Sequence, residues 1–234
     1  MVIGGLKWDE TASRYYYTGI DGVALFVYDE TSGWFKNPVA WNGVTAINES
    51  PSGAESNKQY ADNIEYLNLV SKEEFSLTLE AFQVPKEFSP CDGVTLKANN
   101  AMMFHGQPRK MFALVYRVKK GSDTVEAGGK VGGSSNGDGY IYHVVYGCRS
   151  TPSSRDFGTV NDSPEAVSFS YEISTSPITD TTKFPTGSGF TEVAHVEIDA
   201  SKLTVAKATA LENLLYPSST GSLATPKQIA ETLA

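Results

Sequence analysis

The stretch VAWNGVTAINESPSGAESNKQYADNIEYLNLVSKEEFSLTLEAF, residues 39–82, decides the fold class. It is polar and rich in turn formers, and it ends in a strict alternation of side-chain types. The apolar positions are Phe75, Leu77, Leu79 and Ala81. The polar positions between and before them are Glu74, Ser76, Thr78 and Glu80. A period of two predicts an antiparallel strand with one buried face and one wet face.

The residues on both sides of this alternation predict further strands and a hairpin. Residues 14–28 predict two strand pieces around a turn at Asp21-Gly22. Residues 29–59, rich in Ser, Asn and Gly, predict mostly loop. Residues 60–70 and 73–82 predict a long hairpin with Ser71-Lys72 near its tip.

The second half of the chain continues the β pattern. Residues 109–118 and 140–148 predict two neighbouring strands joined by a glycine-rich loop. Residues 166–175 alternate again, and residues 193–198 predict a last short strand. The polar positions of the second alternation are Ser168, Ser170, Glu172 and Ser174.

Helical signals appear only near the C-terminus. Apolar residues recur at helical spacing over 203–216, with Thr204 or Ser201 as the N-cap and Pro217 as the stop. Thr225 and Pro226 predict a second, short terminal helix, either a docking element on a flexible tether or a frayed end. We therefore expect a mainly β fold with one flanking α-helix near the C-terminus. Its parts are an arm (1–13), a β domain (14–216) and a C-terminal extension (217–234).

The amino-acid composition argues against several classes of protein. Of 234 residues, 40% are hydrophobic and 20% are charged, as in ordinary water-soluble proteins. No apolar run approaches the ~18 residues of a membrane helix, and the N-terminus lacks the apolar core of a signal peptide. The net charge of −8 argues against a protein that binds nucleic acid tightly, because such proteins usually present a basic surface. It leaves open a protein that lets nucleic acid pass.

The residues able to do chemistry show no catalytic or metal-binding spacing. His105, His143 and His195 form no HxH or HExxH pattern, so packing or surface roles are expected. Cys91 and Cys148 stand far apart and predict buried, reduced thiols, with a disulfide left open. We expect no cofactor and no metal.

One string is similar to part of a hydrolase motif. Glu197 and Asp199 stand as in jelly-roll glucanases, but the second Glu of that motif is replaced at Ala200 or Ser201. A retaining glycosidase needs two carboxyl groups about 5 Å apart. Nucleophile-elbow and phosphate-loop patterns are also missing. The sequence thus indicates a non-enzymatic protein.

Several blocks in order resemble the major tail tube protein family of siphophages, the bacteriophages with long, non-contractile tails. The blocks span residues 8–216: Trp8-Asp9, Arg14-Tyr15-Tyr16 and residues 18–23; residues 43–53; Tyr60-Ala61-Asp62; Arg109-Lys110, Phe112 and Tyr116-Arg117; residues 160–165; Leu211-Glu212 and residues 214–216. No single block is a catalytic signature, but their number and order make the match specific.

This resemblance implies a β-sandwich or barrel domain that assembles into a tube. Six copies would form a ring, rings would stack, and about four strands per copy would line an inner barrel through which genomic DNA is ejected. Twenty-four tilted strands give a backbone diameter of about 45–50 Å, wide enough for duplex DNA. The implied partners are further copies of the chain and the tail terminator, distal tail and tape measure proteins. The implied location is the virion, after assembly in the host bacterial cytoplasm, without a membrane.

The resemblance also suggests which side chains face the channel. The polar positions of both alternations are the candidates: Glu74, Ser76, Thr78, Glu80, Ser168, Ser170, Glu172 and Ser174. The alternative is a carbohydrate-binding or other β-sandwich virion module. That function needs an exposed aromatic platform, for which Trp8, Trp34 and Trp41 are the candidates.

Overall fold

The computed structural model describes residues 2–3, 6–7, 10, 14–124, 126–129, 139–153, 157–159 and 166–234. Most of the regular structure is antiparallel β. The strands are β1 (Val2–Ile3), β2 (Leu6–Lys7), β3 (Tyr15–Asp29), β4 (Trp34–Ala40), β5 (Val44–Glu49), β6 (Ser56–Ala61), β7 (Ile64–Val70), β8 (Ser76–Ala81), β9 (Thr95–Lys97), β10 (Met102–Phe104), β11 (Phe112–Ser122), β12 (Tyr140–Ser150), β13 (Phe169–Thr175) and β14 (His195–Asp199). The helices are α1 (Val205–Leu215) and α2 (Pro226–Leu233).

One eight-stranded sheet carries the fold. Its order is β4-β3-β11-β12-β13-β8-β5, and β14 also pairs with β12. Strand β12 has two partners on the same edge: residues 148–150 pair with β13, and residues 141–145 pair with β14. The pairs β1–β2, β6–β7 and β9–β10 form separate two-stranded sheets. The expected mainly β fold is confirmed.

Both faces of the central strands are buried, each in its own core. Along β3, Val23 and Leu25 enter an inner core with Leu79, Phe88 and Tyr171. The intervening Ala24 and Phe26 enter an outer core, which α1 and α2 cover with Leu211, Leu215 and Ile229. Burial on two faces explains why residues 23–27 of β3 and 112–116 of β11 are continuous apolar runs, whereas β8 and β13 alternate.

The alternating strands are confirmed. In β8, Leu77, Leu79 and Ala81 are buried, and the residues between them are partly exposed. In β13, Tyr171 and Ile173 are buried while Ser170, Glu172 and Ser174 are exposed. The predicted pairing of the strands around 109–118 and 140–148 is also confirmed, as β11 with β12.

The predicted turn at Asp21-Gly22 is wrong. Strand β3 runs without interruption through this dipeptide and pairs with β11 along its length. Gly19 and Gly22 have positive φ, and the register shifts twice beside them. Each glycine therefore accommodates a β-bulge, which twists the strand without reversing it.

Two further expectations are wrong. Residues 29–59 hold strands β4 and β5 and the start of β6, so they are not mostly loop. The long hairpin is β6–β7, and it turns at Asp62-Asn63, both with positive φ. Such residues tolerate the left-handed conformation that a tight hairpin turn requires. Strand β8, which was expected to form one arm of the hairpin, pairs instead with β13 and β5.

Both C-terminal helices begin directly after the threonine residues that cap them. The Thr204 side chain accepts a hydrogen bond from the Lys207 amide at the start of α1. Thr225 and Gln228 form a capping box at α2, with Pro226 in the first turn. The extension 217–234 is not a loose tether, because Leu223, Ala224 and Ile229 are buried in the outer core. Trp34 Nε1 donates to the Leu223 carbonyl oxygen at 2.7 Å.

Candidate functional site

The polar residues predicted to face a channel lie together on one sheet surface. Cross-strand neighbours on β8 and β13 are Ser76 with Ser174, Thr78 with Glu172, and Glu80 with Ser170. Glu74 and Ser168, just before these two strands, are exposed. We call these eight residues the acidic-hydroxyl face. It is rich in carboxylates and hydroxyls, and the inner core lies beneath it.

The β6–β7 hairpin projects from the domain with every strand residue exposed. Six large apolar side chains on it are between 50% and 68% exposed: Tyr60, Ile64, Tyr66, Leu67, Leu69 and Val70. Such exposure is unusual on a hairpin that pairs with no other described strand, since an isolated two-stranded hairpin is at best marginally stable in water.

Two other exposed apolar groups accompany the hairpin. Tyr15, Tyr16 and Tyr17 are exposed where β3 begins. Met102, Met103 and Phe104, which form β10, are exposed as well. Phe82, Phe157 and Phe190 are further exposed aromatic residues of the described surface.

A polar cluster lies at the end of the inner core, where three strands meet. His143 on β12, His195 on β14 and Glu49 on β5 bring their side-chain ligand atoms within 4.8 Å of one another. His143 Nδ1 lies 3.0 Å from His195 Nε2 and 3.2 Å from Glu49 Oε1. The Tyr116 hydroxyl donates to Glu49 Oε1 at 2.6 Å. We call Glu49, His143 and His195 the histidine cluster.

Aromatic stacking fixes the orientation of the imidazole rings of His143 and His195. The His143 ring stacks on Tyr116 with 4.8 Å between centroids, and His195 stacks on Phe75 at 4.4 Å. The two imidazole planes are 11° apart. Tyr116 and His143 are directly paired across β11 and β12, which sets their common orientation. Both rings are thus fixed by packing as well as by hydrogen bonds.

The surroundings also set the protonation states. The hydrogen bond from His143, opposed by burial and assisted by Tyr116, lowers the pKa of Glu49 to about 2. Burial, followed by repulsion from His143, lowers the pKa of His195 below its ordinary 6.5. At neutral pH, Glu49 is therefore a carboxylate and His195 a neutral imidazole, which are the forms that ligate a metal ion.

No spacing along the sequence indicates the histidine cluster. His143 and His195 are 52 positions apart, and Glu49 comes from a segment that was expected to be loop. Only the strand pairings bring them together. Two histidines and one glutamate are a donor set that zinc sites use. His105, the third histidine, is exposed and outside the cluster.

Other sequence candidates occupy ordinary structural positions. Trp34 and Trp41 are 8% and 3% exposed, so neither provides a carbohydrate platform, and Trp8 lies outside the described residues. Cys91 and Cys148 are free and buried, as predicted. Asp199 binds Lys120 and caps the turn that leads toward α1, while Glu197 is exposed.

Comparison with known proteins adds no family assignment. No model of a known protein family matches the chain, and no curated protein matches it. Among the described residues, no helix combines the length and apolar character needed to cross a membrane.

Proposed function

We propose that this chain is a structural virion protein, the subunit of a phage tail tube through which the genome is ejected. Six copies would close into a ring, and rings would stack into the tube. The observation that carries the proposal is the β6–β7 hairpin, which exposes apolar side chains on a two-stranded element that pairs with no other described strand. The ordered blocks of sequence that resemble tail tube proteins support the same function.

Burial by neighbouring copies would remove the hairpin's apolar surface from water. Apolar surface contributes roughly 25 cal/mol per Å² when it is buried, so six large side chains are a substantial driving force. Strand β5, at one end of the sheet path, also offers an edge for pairing, whereas residues 221–223 already bond to the outer edge of β4. A closed ring pairs such edges and so prevents uncontrolled aggregation.

The acidic-hydroxyl face suits the wall of a DNA channel. Glu74, Glu80 and Glu172 repel phosphates, and the hydroxyl side chains between them carry no positive charge. Binding of DNA by release of counterions requires Lys or Arg at the phosphates, so DNA would slide past this face without adhering. In this proposal the face lines the lumen, and the tube contacts the tail terminator, distal tail and tape measure proteins.

Electron microscopy of purified protein over a concentration series tests self-assembly. We expect hollow tubes or six-fold rings from the wild-type chain. The double variant Leu67→Glu, Leu69→Glu places two charges on the exposed hairpin and is expected to remain monomeric while folded by circular dichroism. The control, Ala210→Glu with Asn213→Glu, adds the same charges to exposed positions of α1 and should still assemble.

A wild-type chain that stays small at every concentration would contradict self-assembly. A glycan-binding screen would then test the alternative of a carbohydrate-binding module. Assembly by the Leu67→Glu, Leu69→Glu variant at the wild-type concentration would instead show that the hairpin is not the contact surface.

Labelling with gold locates the lumen. Burial raises the pKa of Cys91 to about 12 and also raises that of Cys148, so neither native thiol should react with a maleimide. Ser170→Cys adds a reactive thiol to the acidic-hydroxyl face, and Asn213→Cys adds one to α1. We expect gold inside the tubes of the first variant and outside those of the second. Gold outside the Ser170→Cys tubes would place this face on the exterior.

A further inference from the structure

We propose that Glu49, His143 and His195 bind a divalent transition-metal ion, with Zn²⁺ as the best match, and that this ion ties β5 to β12 and β14. The inference is independent of tube formation, because all three ligands belong to one copy of the chain.

The spacing of the donor atoms carries the proposal. Two ligands of a tetrahedral zinc ion with bonds of about 2.0–2.1 Å lie about 3.3 Å apart. His143 Nδ1 lies 3.0 Å from His195 Nε2 and 3.2 Å from Glu49 Oε1. Two edges of a coordination tetrahedron are therefore formed already, and the three donor atoms lie within 4.8 Å of one another. The third edge, between Glu49 and His195, lies within the same 4.8 Å and would close as the Glu49 side chain turns toward the ion.

The contacts around the donors orient them for an ion. Tyr116 donates to Glu49 Oε1, which holds the carboxylate beside the imidazoles. Stacking on Tyr116 and Phe75 fixes the two histidine rings. Removing a hydrogen bond to a ligating side chain, such as the one from Tyr116 to Glu49, commonly lowers metal affinity 10–100-fold. The hydrogen bond between the two imidazole nitrogens holds one proton, and a bound ion would take the place of that proton.

The donor types select among metal ions. Imidazole nitrogen suits Zn²⁺, Cu²⁺ and Ni²⁺, whereas Ca²⁺ and Mg²⁺ prefer sites made only of oxygen ligands. Glu49 is about one-third exposed and His143 is nearly buried, so the cluster opens to solvent on the side of the carboxylate. This opening gives an ion a path of entry and leaves a fourth position for water.

The location gives the ion a structural role. Strand β5 lies at one end of the sheet path, and β14 pairs only with β12 among the described strands. Strand β12 pairs with β14, but β5 pairs with β8 and with neither of them. An ion held by one residue from each of β5, β12 and β14 would therefore cross-link β5 to two strands with which it shares no backbone hydrogen bonds. We expect it to raise resistance to unfolding rather than to change the fold.

Titration calorimetry and thermal unfolding of tag-free protein test the site. We expect one Zn²⁺ per chain and an unfolding midpoint about 5–10 °C higher at a Zn²⁺ concentration 100 times the dissociation constant, reversed by a chelator. Co²⁺ in place of Zn²⁺ should give the visible absorption of a tetrahedral site. Glu49→Gln and His195→Gln should each weaken binding at least tenfold, whereas His105→Gln should bind like wild type.

The binding results for wild type and for the Glu49 variant decide whether the metal site exists. Because Glu49 is partly exposed, Glu49→Gln is expected to fold, so its Zn²⁺ affinity can be measured even if His195→Gln does not fold. Absence of Zn²⁺ binding by the wild-type chain, or equal binding by wild type and Glu49→Gln, would overturn the site. Because the experiment uses single chains, its failure would leave the proposal of tube assembly unaffected.

Discussion

Lys120 on β11 carries a charge into a nearly closed environment. Its side chain is 8% exposed, and its Nζ donates to Asp199 Oδ2 at 2.7 Å and to Ser201 Oγ at 2.9 Å. The ammonium also lies 4.8 Å from the centre of the Tyr15 ring. A buried ammonium is tolerated only when such partners replace water. The pair connects β11 to the turn before α1, and so joins the sheet to the helical layer.

Removing this ammonium should destabilise the domain. We expect Lys120→Met to lower the free energy of unfolding by about 1.5–3 kcal/mol, because Asp199 and Ser201 lose a charged hydrogen-bond donor. Lys202 is the matched control: it also approaches Asp199, at 3.8 Å, but its side chain is 80% exposed. Lys202→Met should change stability by less than about 0.5 kcal/mol. Equal effects in urea unfolding at neutral pH would contradict the assigned role of burial.

The same pair predicts a pH dependence. Burial alone would raise the pKa of Asp199, but hydrogen bonds from Lys120 and Ser201 outweigh it and hold the pKa below the ordinary 3.8. The stabilisation is therefore present above the unfolded-state pKa and is lost as the pH falls through the lower folded-state pKa. The stability difference between wild type and Lys120→Met should shrink below about pH 3.8. Urea unfolding at a series of acidic pH values measures it, and a constant difference would refute the linkage.

At the scale of elements, Gly147 is the point where β12 changes partners. Its neighbour Tyr146 donates a backbone hydrogen bond to Ala194, whereas Gly147 itself accepts one from Ser176. Gly147 has a φ of +66°, and a Cβ there would lie 1.9 Å from the Ser176 carbonyl oxygen. The absence of a side chain lets the chain after β13 approach closely while β14 takes over the rest of the edge.

A methyl group at this branch point should be poorly tolerated. Gly147→Ala combines a left-handed backbone with a clash against main-chain atoms, so we expect a loss of about 2–5 kcal/mol. Gly187→Ala is the control, because Gly187 has a φ of +74° but no atom of the described residues lies within 4 Å of the position that a Cβ would take. It should cost only about 1–2 kcal/mol. Similar losses in both variants by urea unfolding would show that backbone strain alone matters at Gly147.

At the scale of the whole molecule, stability is unevenly distributed. The central strands β11 and β12 are buried on both faces, while every residue of β6 and β7 is exposed. Regions with few buried contacts open at low free energy. Assembly into a tube would change this distribution, because the hairpin would gain contacts while the double-sided core would not.

Hydrogen exchange compares the two states directly. In the monomer, we expect amides of β6 and β7 to exchange far faster than those of β11, which is the internal control. In assembled tubes, the hairpin amides should become strongly protected while β11 changes little. Hairpin exchange that is equally fast in tubes and monomers would show that the hairpin does not mediate assembly.

The sequence by itself determined the elements with local signals. The alternations in β8 and β13 identified their buried and wet faces, because side chains of a strand point to opposite faces in turn. Thr225 marked the start of α2, and Thr204, one of two candidate caps, marked that of α1, because a cap acts on amides within three residues. The polar residues of the acidic-hydroxyl face followed from the same alternation.

Only the tertiary structure decided which elements meet. Asp21-Gly22 has the sequence of a turn, but pairing with β11 keeps it extended through a bulge. The histidine cluster draws on β5, β12 and β14, and no spacing along the chain records that contact. The extension 217–234 joins the outer core through Leu223 and Ile229, whose burial depends on partners far away in sequence. Strand pairing and burial depend on residues far apart in the sequence, so the free energy of the whole fold determines them and no local pattern does.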